Sequence, residues 1–540
     1  TVVVLPAWET SVTPIASVDP GKRHVVLGGD CVWNFGYWNS PQRWYVEGVA
    51  AAFDAPGEWH LDARTGRLRY RPLPGQSPER TPVVAANLTE LVSLSGDQRL
   101  GLPVTDVRFT GLTFAHGDWL LPPAGHSDPQ AVCTEGGNIS LRGAIGCSFD
   151  DCRFVHLGSY AVALRAGSRA CRVERCEFAD VGAGAVRIGE TYVSREPELR
   201  CEGHVVDNCW VHDYGRVFAG GVGIWLAQAG DCRISHNDIH DGWYTGISVG
   251  WDWGRAPTAS HGNQILDNHI HHIVNGRLSD AGGIYTLGEL DGGRLAGNVI
   301  HDLFAFTEPD YSWGIYLDSE SHGLTVEDNT VWAVEDGLML HNGAYNNIVR
   351  RNTFAQAADY LIWRSPASIP MPNTFTDNTC LVTQGSLFLP DAQPDVQSTW
   401  DRNRYWRADG RELLFMDDDF ATWQARGVDR ASRVVDPKLT PPLPIGSAGL
   451  YGDAAWTAKP RAVKHPPTVV PSTKIADGPQ PVIQDFESTP VGGKPAGLVV
   501  SLGNVPGGRV EVTDQQPAVG RHCLRFVDAK ALQQIGRAHV

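Results

Sequence analysis

Two side chains four positions beyond recurring glycines offer the first chemistry in this sequence: Asp318, four after Gly314, and His341, four after Gly337. If the two glycines occupy equivalent places in a repeat, a carboxylate and an imidazole lie side by side, which is an acid/base pair. Six beyond the same kind of glycine come Asp252, Glu289 and Glu320, three acids in register if their loops are equivalent. Carboxylates that close raise one another's pKa, as a glycosidase acid requires, or share a calcium ion; solvated loop acids pointing apart are the plainer alternative. Asp280 stands in Ser-Asp-Ala-Gly-Gly, a glycine-flexed approach that can turn its carboxylate into a groove. Two residues after the lead glycines come Trp225, Ser248, Tyr285, Tyr316 and Met339. With Trp251 nearby, these supply aromatic faces of the kind that stack on sugar rings.

The elements that must position these groups are short strands in a repeat. The strand led by glycine recurs as Gly223-Ile-Trp-Leu226, Gly246-Ile-Ser-Val249, Gly283-Ile-Tyr-Thr286, Gly314-Ile-Tyr-Leu317 and Gly337-Leu-Met-Leu340. A polar residue followed two places later by a large apolar one recurs as Cys152/Phe154, Cys176/Phe178, Asn208/Trp210, Asn237/Ile239, Asn268/Ile270, Asn298/Ile300, Asn329/Val331 and Asn352/Phe354. Period-two strands joined by Gly, Asn and Asp turns, with no helical periodicity between them, predict an all-β parallel solenoid. The Asn column reads as an internal hydrogen-bonded ladder at a turn, without chemistry of its own. Cys147 and Cys152 are five apart, as are Cys171 and Cys176, and Cys232 is five before Asn237; this places the thiols in inward columns rather than in disulfides. No Cys/His set has local zinc spacing, and no metal or cofactor is expected.

At these segments the chain resembles right-handed parallel β-helix proteins of the glycoside hydrolase family 141 type. The resemblance rests on Ser279-Asp-Ala-Gly-Gly-Ile-Tyr-Thr-Leu-Gly288, Trp313-Gly-Ile-Tyr-Leu-Asp318 and His341-Asn-Gly-Ala-Tyr-Asn-Asn347, with Arg43-Trp-Tyr-Val-Glu47 and Asp54-Ala-Pro-Gly-Glu-Trp-His-Leu-Asp62 matching an accompanying small β module. It implies hydrolysis of plant cell-wall glycans, fucosidase- or xylanase-like, with the catalytic carboxylates on Asp280 and Asp318. His341, Tyr285, Tyr316, Trp225, Trp251, Glu289 and Glu320 then fall to substrate binding. Two straight strands would hold Asp280 and Asp318 about 23 Å apart at ~3.3 Å per residue. A glycosidase pair lies within roughly 5 to 9.5 Å. A fold-back of the chain at Gly282 and Gly283 is the expected remedy.

Composition bounds the rest. With 45 basic and 61 acidic side chains among 540 residues and a net charge of −16, the chain is a poor fit to a nucleic-acid partner. No apolar run is long enough to span a bilayer. A polysaccharide or oligosaccharide is the expected partner, and a secreted or periplasmic location the expected setting, the chain opening at Thr1 without a leader. After Lys22 no lysine occurs until Lys438, which removes a lysine base from the solenoid. A calcium-dependent polysaccharide lyase, with Arg277 or Arg294 as base and Asp252, Glu289 and Glu320 as metal ligands, is the second reading. A non-catalytic glycan-binding solenoid is the third.

The expected organisation is a β-hairpin module and remnant over 1–80, with a hairpin about Arg64-Thr-Gly66, and the β-helix over 81–440. A Pro-rich linker follows over 441–480 and a truncated β-sandwich over 481–534. The tail 535–540, Ile-Gly-Arg-Ala-His-Val, reads as translated sequencing adapter and is set aside from fold reasoning.

Overall fold

The computed structural model describes residues 1–38, 42–62, 64–77, 84–306, 311–365, 372–389 and 397–452, together with the backbone of 509–513, 523–527 and 534–538. It divides into two units, one of residues 1–85, 120–129 and 453–540, the other of 86–119 and 130–452. In the first unit, Val2–Leu5 pairs antiparallel with Ser11–Thr13 and with Arg43–Val46. Trp59–Asp62 and Arg67–Tyr70 form the hairpin expected about Arg64-Thr-Gly66. Arg509–Thr513, Cys523–Val527 and Gln534–Ala538 make a three-stranded antiparallel sheet. The last strand therefore runs through most of the tail read as adapter, while Gln484–Glu487, expected to open a sandwich, lies outside the described residues.

The second unit is a parallel β-helix. Each coil gives one strand to each of three parallel sheets, which contain eleven, eleven and twelve strands. One coil shows the pattern: Ala281–Thr286 in the first sheet, Arg294–Ala296 in the second, Val299–Leu303 in the third, after which Ser312–Leu317 pairs in register with Ala281–Thr286. The first sheet begins at Val92–Ser95, inside the span expected for the β-helix. Among the described residues no helix is long and apolar enough to cross a membrane.

The coils stack because identical positions satisfy one another. Asn237, Asn268, Asn298, Asn329, Asn352, Asn378 and Asn403 form one column, each Nδ2 donating to the next Oδ1 at 2.9 to 3.2 Å and each Oδ1 also accepting the preceding backbone N–H. Every amide is buried, so each bond replaces one that water would otherwise supply. Toward the N-terminus the column continues as Cys209, Cys176 and Cys152, all buried thiols; ten cysteines are free among the described residues. This corrects the expected alignment: Cys209, not Asn208, belongs to the ladder. Asn208 occupies the preceding corner, where Asp151, Arg175, His236, Asp267, Asp328, Arg351, Asp377 and Arg402 also adopt left-handed backbone at φ 51 to 59°. Asn suits that conformation as well as it suits the ladder, so two adjacent columns offer the same residue type.

Beyond the last coil, the short helix Phe420–Ala425 is N-capped by Asp419, and its buried Trp423 donates to Asp429. Asp429 also accepts from Asn403 and Tyr405, which ends the ladder on a carboxylate. The segment expected to begin a free linker at 441 instead lies packed over 441–452 along the third sheet. Leu443 clusters with Ala355 and Leu381, Gly449 N–H donates to Asp267 O, and Tyr451 exchanges hydrogen bonds with Asn208 and donates to Asp207. Residues 453–480 of that expected linker lie outside the described residues.

Candidate active site

The site lies on the outward face of the first sheet. Register carries Arg187, Trp225, Ser248, Tyr285, Tyr316, Met339 and Trp363 into one column, one residue per coil. Strands approach closely here because the lead position is glycine: a Cβ on Gly283 would stand 2.7 Å from Gly314 O, and one on Gly314 2.9 Å from Gly337 O. The column differs from the sequence expectation in exposure. Trp225, Tyr285 and Tyr316 are each 3% exposed or less, so none presents an open stacking face. Trp225 takes the Arg187 guanidinium over its ring at 4.5 Å and the edge of Trp251 at 4.8 Å. The exposed aromatic on this flank is Trp253, packed against Trp251.

Asp280 and Asp318 converge on the tyrosines. Tyr316 hydroxyl donates to Asp280 Oδ1 at 3.1 Å, Tyr285 hydroxyl donates to Asp318 Oδ2 at 2.6 Å, and the two rings meet edge to face with centroids 5.0 Å apart. Tyr244 hydroxyl donates to the Asp280 carbonyl at 2.9 Å. Burial, reinforced by the charges of both carboxylates, pushes the Tyr244, Tyr285 and Tyr316 hydroxyls well above the usual phenol range, so all three stay protonated donors. The expected fold-back at Gly282 and Gly283 does not occur, since both lie within the extended strand Ala281–Thr286. Each acid is met instead by the tyrosine of the neighbouring coil: Asp280 has left-handed backbone (φ 52°), and the hydroxyls of Tyr316 and Tyr285 span the coils to Asp280 and Asp318.

Asp318 is buried and oriented by three donors, the third and second being the backbone N–H and hydroxyl of Ser319 to Oδ1 at 2.6 and 3.1 Å. His341 Nε2 stands 4.0 Å from Asp318 Oδ1, as their common offset from the lead glycine requires. Burial, against the opposing charge of Asp318, lowers the His341 pKa, which favours a neutral imidazole beside the acid.

The acids six beyond the glycine do not stack. Glu289 pairs with His322 of the next coil, and His322 with Tyr345. Glu320 has left-handed backbone and accepts Arg255 Nε at 2.5 Å, while Asp252 Oδ2 accepts Gly254 N–H. Beyond the strand ends the loops differ, so counting along the chain loses register.

Sequence reasoning overlooked the residues ahead of the lead glycine. Gly282, Trp313 and Asp336 share one register position. Trp313 packs on Tyr316 at 4.3 Å between centroids and on Trp363 at 5.6 Å. Asp336 is fully buried; its backbone-facing oxygen accepts Tyr360 N–H, Oδ2 has no partner among the described residues, and burial pushes its pKa well above the carboxylate range. In neighbouring Glu335 burial, with help from Asp359 and against hydrogen bonds from Ala305 and Ser312, raises the pKa to about 7. The acidic pair is legible in the sequence as the two residues that precede Gly337.

Comparison with known proteins places the fold. The family model described as "Right handed beta helix region" matches residues 137–302 and 273–387, which gives the helix its hand. Among curated proteins no sequence matches the chain. A solved structure titled "Glycoside hydrolase" is similar at 21% identity and a TM-score of 0.58, over 65% of this chain and 67% of that one. A mutant tailspike protein of E. coli bacteriophage HK620 in complex with pentasaccharide matches at 12% identity and TM-score 0.40, over 59% of this chain and 60% of that one. A mutant periplasmic alginate epimerase matches at 15% identity and TM-score 0.35, over 52% and 68%. The chain thus spans about 60 to 68% of the length of these structures, and the likeness is one of fold.

Proposed function

We propose that the chain is a glycoside hydrolase acting on a plant cell-wall type polysaccharide, fucosidase- or xylanase-like, with Asp280 and Asp318 as its carboxylate pair. The observation that carries this reading is that two acids from adjacent coils are each held by a tyrosine hydroxyl, with the two tyrosine rings in contact. One carboxyl group protonates the leaving glycosidic oxygen while the other activates water or attacks the anomeric carbon. Tyr285 and Tyr316 hold the acids in orientation, and neutral His341 beside Asp318 offers a hydrogen bond to a sugar hydroxyl. The similarity to a solved glycoside hydrolase agrees with this reading at the level of fold.

The residues named for a lyase have other partners. Arg277 stacks on Trp243 at 4.3 Å, Arg294 is engaged by Glu327, and the carboxylates of Asp252, Glu289 and Glu320 accept from Gly254, Thr258 and Arg255 respectively.

The test is hydrolysis of fucosylated and xylan oligosaccharides by the native protein and by Asp280→Asn and Asp318→Asn. Each variant is expected to lose about 10²–10⁴ in kcat with oligosaccharide binding retained. Undiminished turnover in both variants overturns the assignment, and glycan binding without turnover in the native protein establishes the binding solenoid instead. The anomer first released, read by proton NMR, reports retention or inversion.

A further inference from the structure

The outward face of the third sheet carries a second constellation. Register stacks His212, His240, His271 and His301 on successive coils, with neighbouring rings 4.9 to 5.3 Å apart and nearly parallel. Beside them Asp238 stands in register with His269. Asp238 Oδ1 lies 3.3 Å from His269 Nδ1 and 3.0 Å from His271 Nε2. Metal bonds of 2.0–2.1 Å at tetrahedral angles put neighbouring ligand atoms roughly 3.3 Å apart, which is the spacing of both imidazole nitrogens from Asp238 Oδ1, and the three atoms all lie within 4.8 Å of one another.

Proton bookkeeping points the same way. If protons alone fill the cluster, Asp238 accepts, and His269 Nδ1 and His271 Nε2 must each carry a hydrogen. Neutral His269 then has a lone pair on Nε2, so His301 Nε2, 2.8 Å away, must donate to it. Neutral His301 is left with a lone pair on Nδ1 facing Asp302 Oδ2 at 2.6 Å, acceptor against acceptor. An extra proton, on His301 or on Asp302, is one remedy. A cation at Asp238 cures it without one. His269 ligates through Nδ1, its Nε2–H donates to His301 Nε2, and His301 Nδ1–H donates to Asp302. On the other branch His271 ligates through Nε2, and its Nδ1–H donates to His272 Nδ1 at 2.8 Å. Each ligating imidazole then has its second nitrogen fixed by an outer partner, the arrangement that orients metal-bound histidines.

We infer that Asp238, His269 and His271 form a site for a divalent transition ion of the zinc type, with Asp302 and His301 as positioning residues behind His269. Two imidazoles and a carboxylate suit that class of ion better than calcium or magnesium, which take oxygen ligands. The ion ties two coils together where the 441–452 segment crosses them: a Cβ on Gly449 would stand 3.1 Å from His269 Cβ. The set escapes a search for local zinc spacing because its carboxylate arrives from the neighbouring coil.

The test is zinc binding by chelator-stripped full-length protein, measured by calorimetry and by the rise in unfolding midpoint. One equivalent is expected in the native protein, lost in Asp238→Asn and His271→Ala, and bound 10- to 100-fold more weakly in His301→Gln. Two further groups are internal rivals, Glu289 with Asp291 and His322, and His272 with His301 and Asp302; Glu289→Gln is expected to leave binding unchanged and His272→Ala to leave the one equivalent in place. No stoichiometric zinc, or binding lost in Glu289→Gln and kept in His271→Ala, overturns the inference. Should the ligand variants fail to fold in chelator, His301→Gln decides: an affinity equal to the native one, or binding lost outright as an ion held by His272, His301 and Asp302 would require, overturns the inference.

Discussion

Glu335 and Asp336, on the flank of the carboxylate site, and His204, in a column of otherwise small side chains inside the coils, meet the same physical condition with opposite charge. Burial disfavours whichever form is charged, so the pKa of both acids rises and that of the imidazole falls. His212 shows the limit of the rule: burial lowers its pKa, but the hydrogen bond with Asp213 and the nearby Glu177 carboxylate, 3.6 Å from Nε2, together outweigh burial and raise it. The comparison teaches that sign of shift follows the partner set and not burial alone. His204 instead meets backbone groups, the Cys171 N–H on Nδ1 and the backbone of Ser168.

The two kinds of group predict opposite pH dependences. Glu335 has a folded pKa of about 7, above its ordinary 4.5, so its contribution to stability is full below pH 4.5 and is lost as pH rises to 7. Glu335→Gln, which keeps an acceptor for Ala305 and Ser312, is expected to raise the unfolding free energy by roughly 2–3 kcal/mol at pH 7 and to leave it nearly unchanged at pH 4.5. Urea unfolding at the two pH values checks this, and an equal effect at both would break the comparison. His204 has a folded pKa of about 4, below its ordinary 6.5, so its contribution is full above pH 6.5 and is lost as pH falls to 4. His204→Cys, which continues the thiols of Cys171 and Cys232, is expected to gain roughly 2 kcal/mol at pH 4.5 relative to its effect at pH 7. A gain of the same size at pH 7 would assign the effect to packing instead.

How far the sequence carried these conclusions follows from where register is enforced. The Asn ladder and the glycine-led column are legible because hydrogen bonding repeats them at every coil, and the pairing of Asp318 with His341 follows from a common offset inside that register. Glu289 and Glu320 mislead because they lie past the strand ends, where Glu289 aligns with His322. Asn208 misleads because two neighbouring corner positions favour the same amide, one for left-handed backbone and one for the ladder. The outward direction of Trp225, Tyr285 and Tyr316 is readable from alternation, whereas their burial depends on what covers them, which alternation does not encode. The histidine set is a contact between coils about 30 residues apart, and each strand alone shows only polar outward residues.

Within the site, the tyrosines should separate orientation from chemistry. Tyr285→Phe keeps the ring against Tyr316 but removes the hydroxyl that donates to Asp318 Oδ2. A hydrogen bond to a charged group contributes about 1.5–3 kcal/mol. Asp318 retains both Ser319 donors on its other oxygen, so the loss falls at the low end, near tenfold in kcat. Tyr316→Phe should act likewise through Asp280. A loss as large as that of Asp318→Asn would make Tyr285 itself a proton donor in the reaction. No loss would show that Ser319 alone sets the orientation of Asp318, leaving the tyrosine contact to hold the coils together and not to serve catalysis.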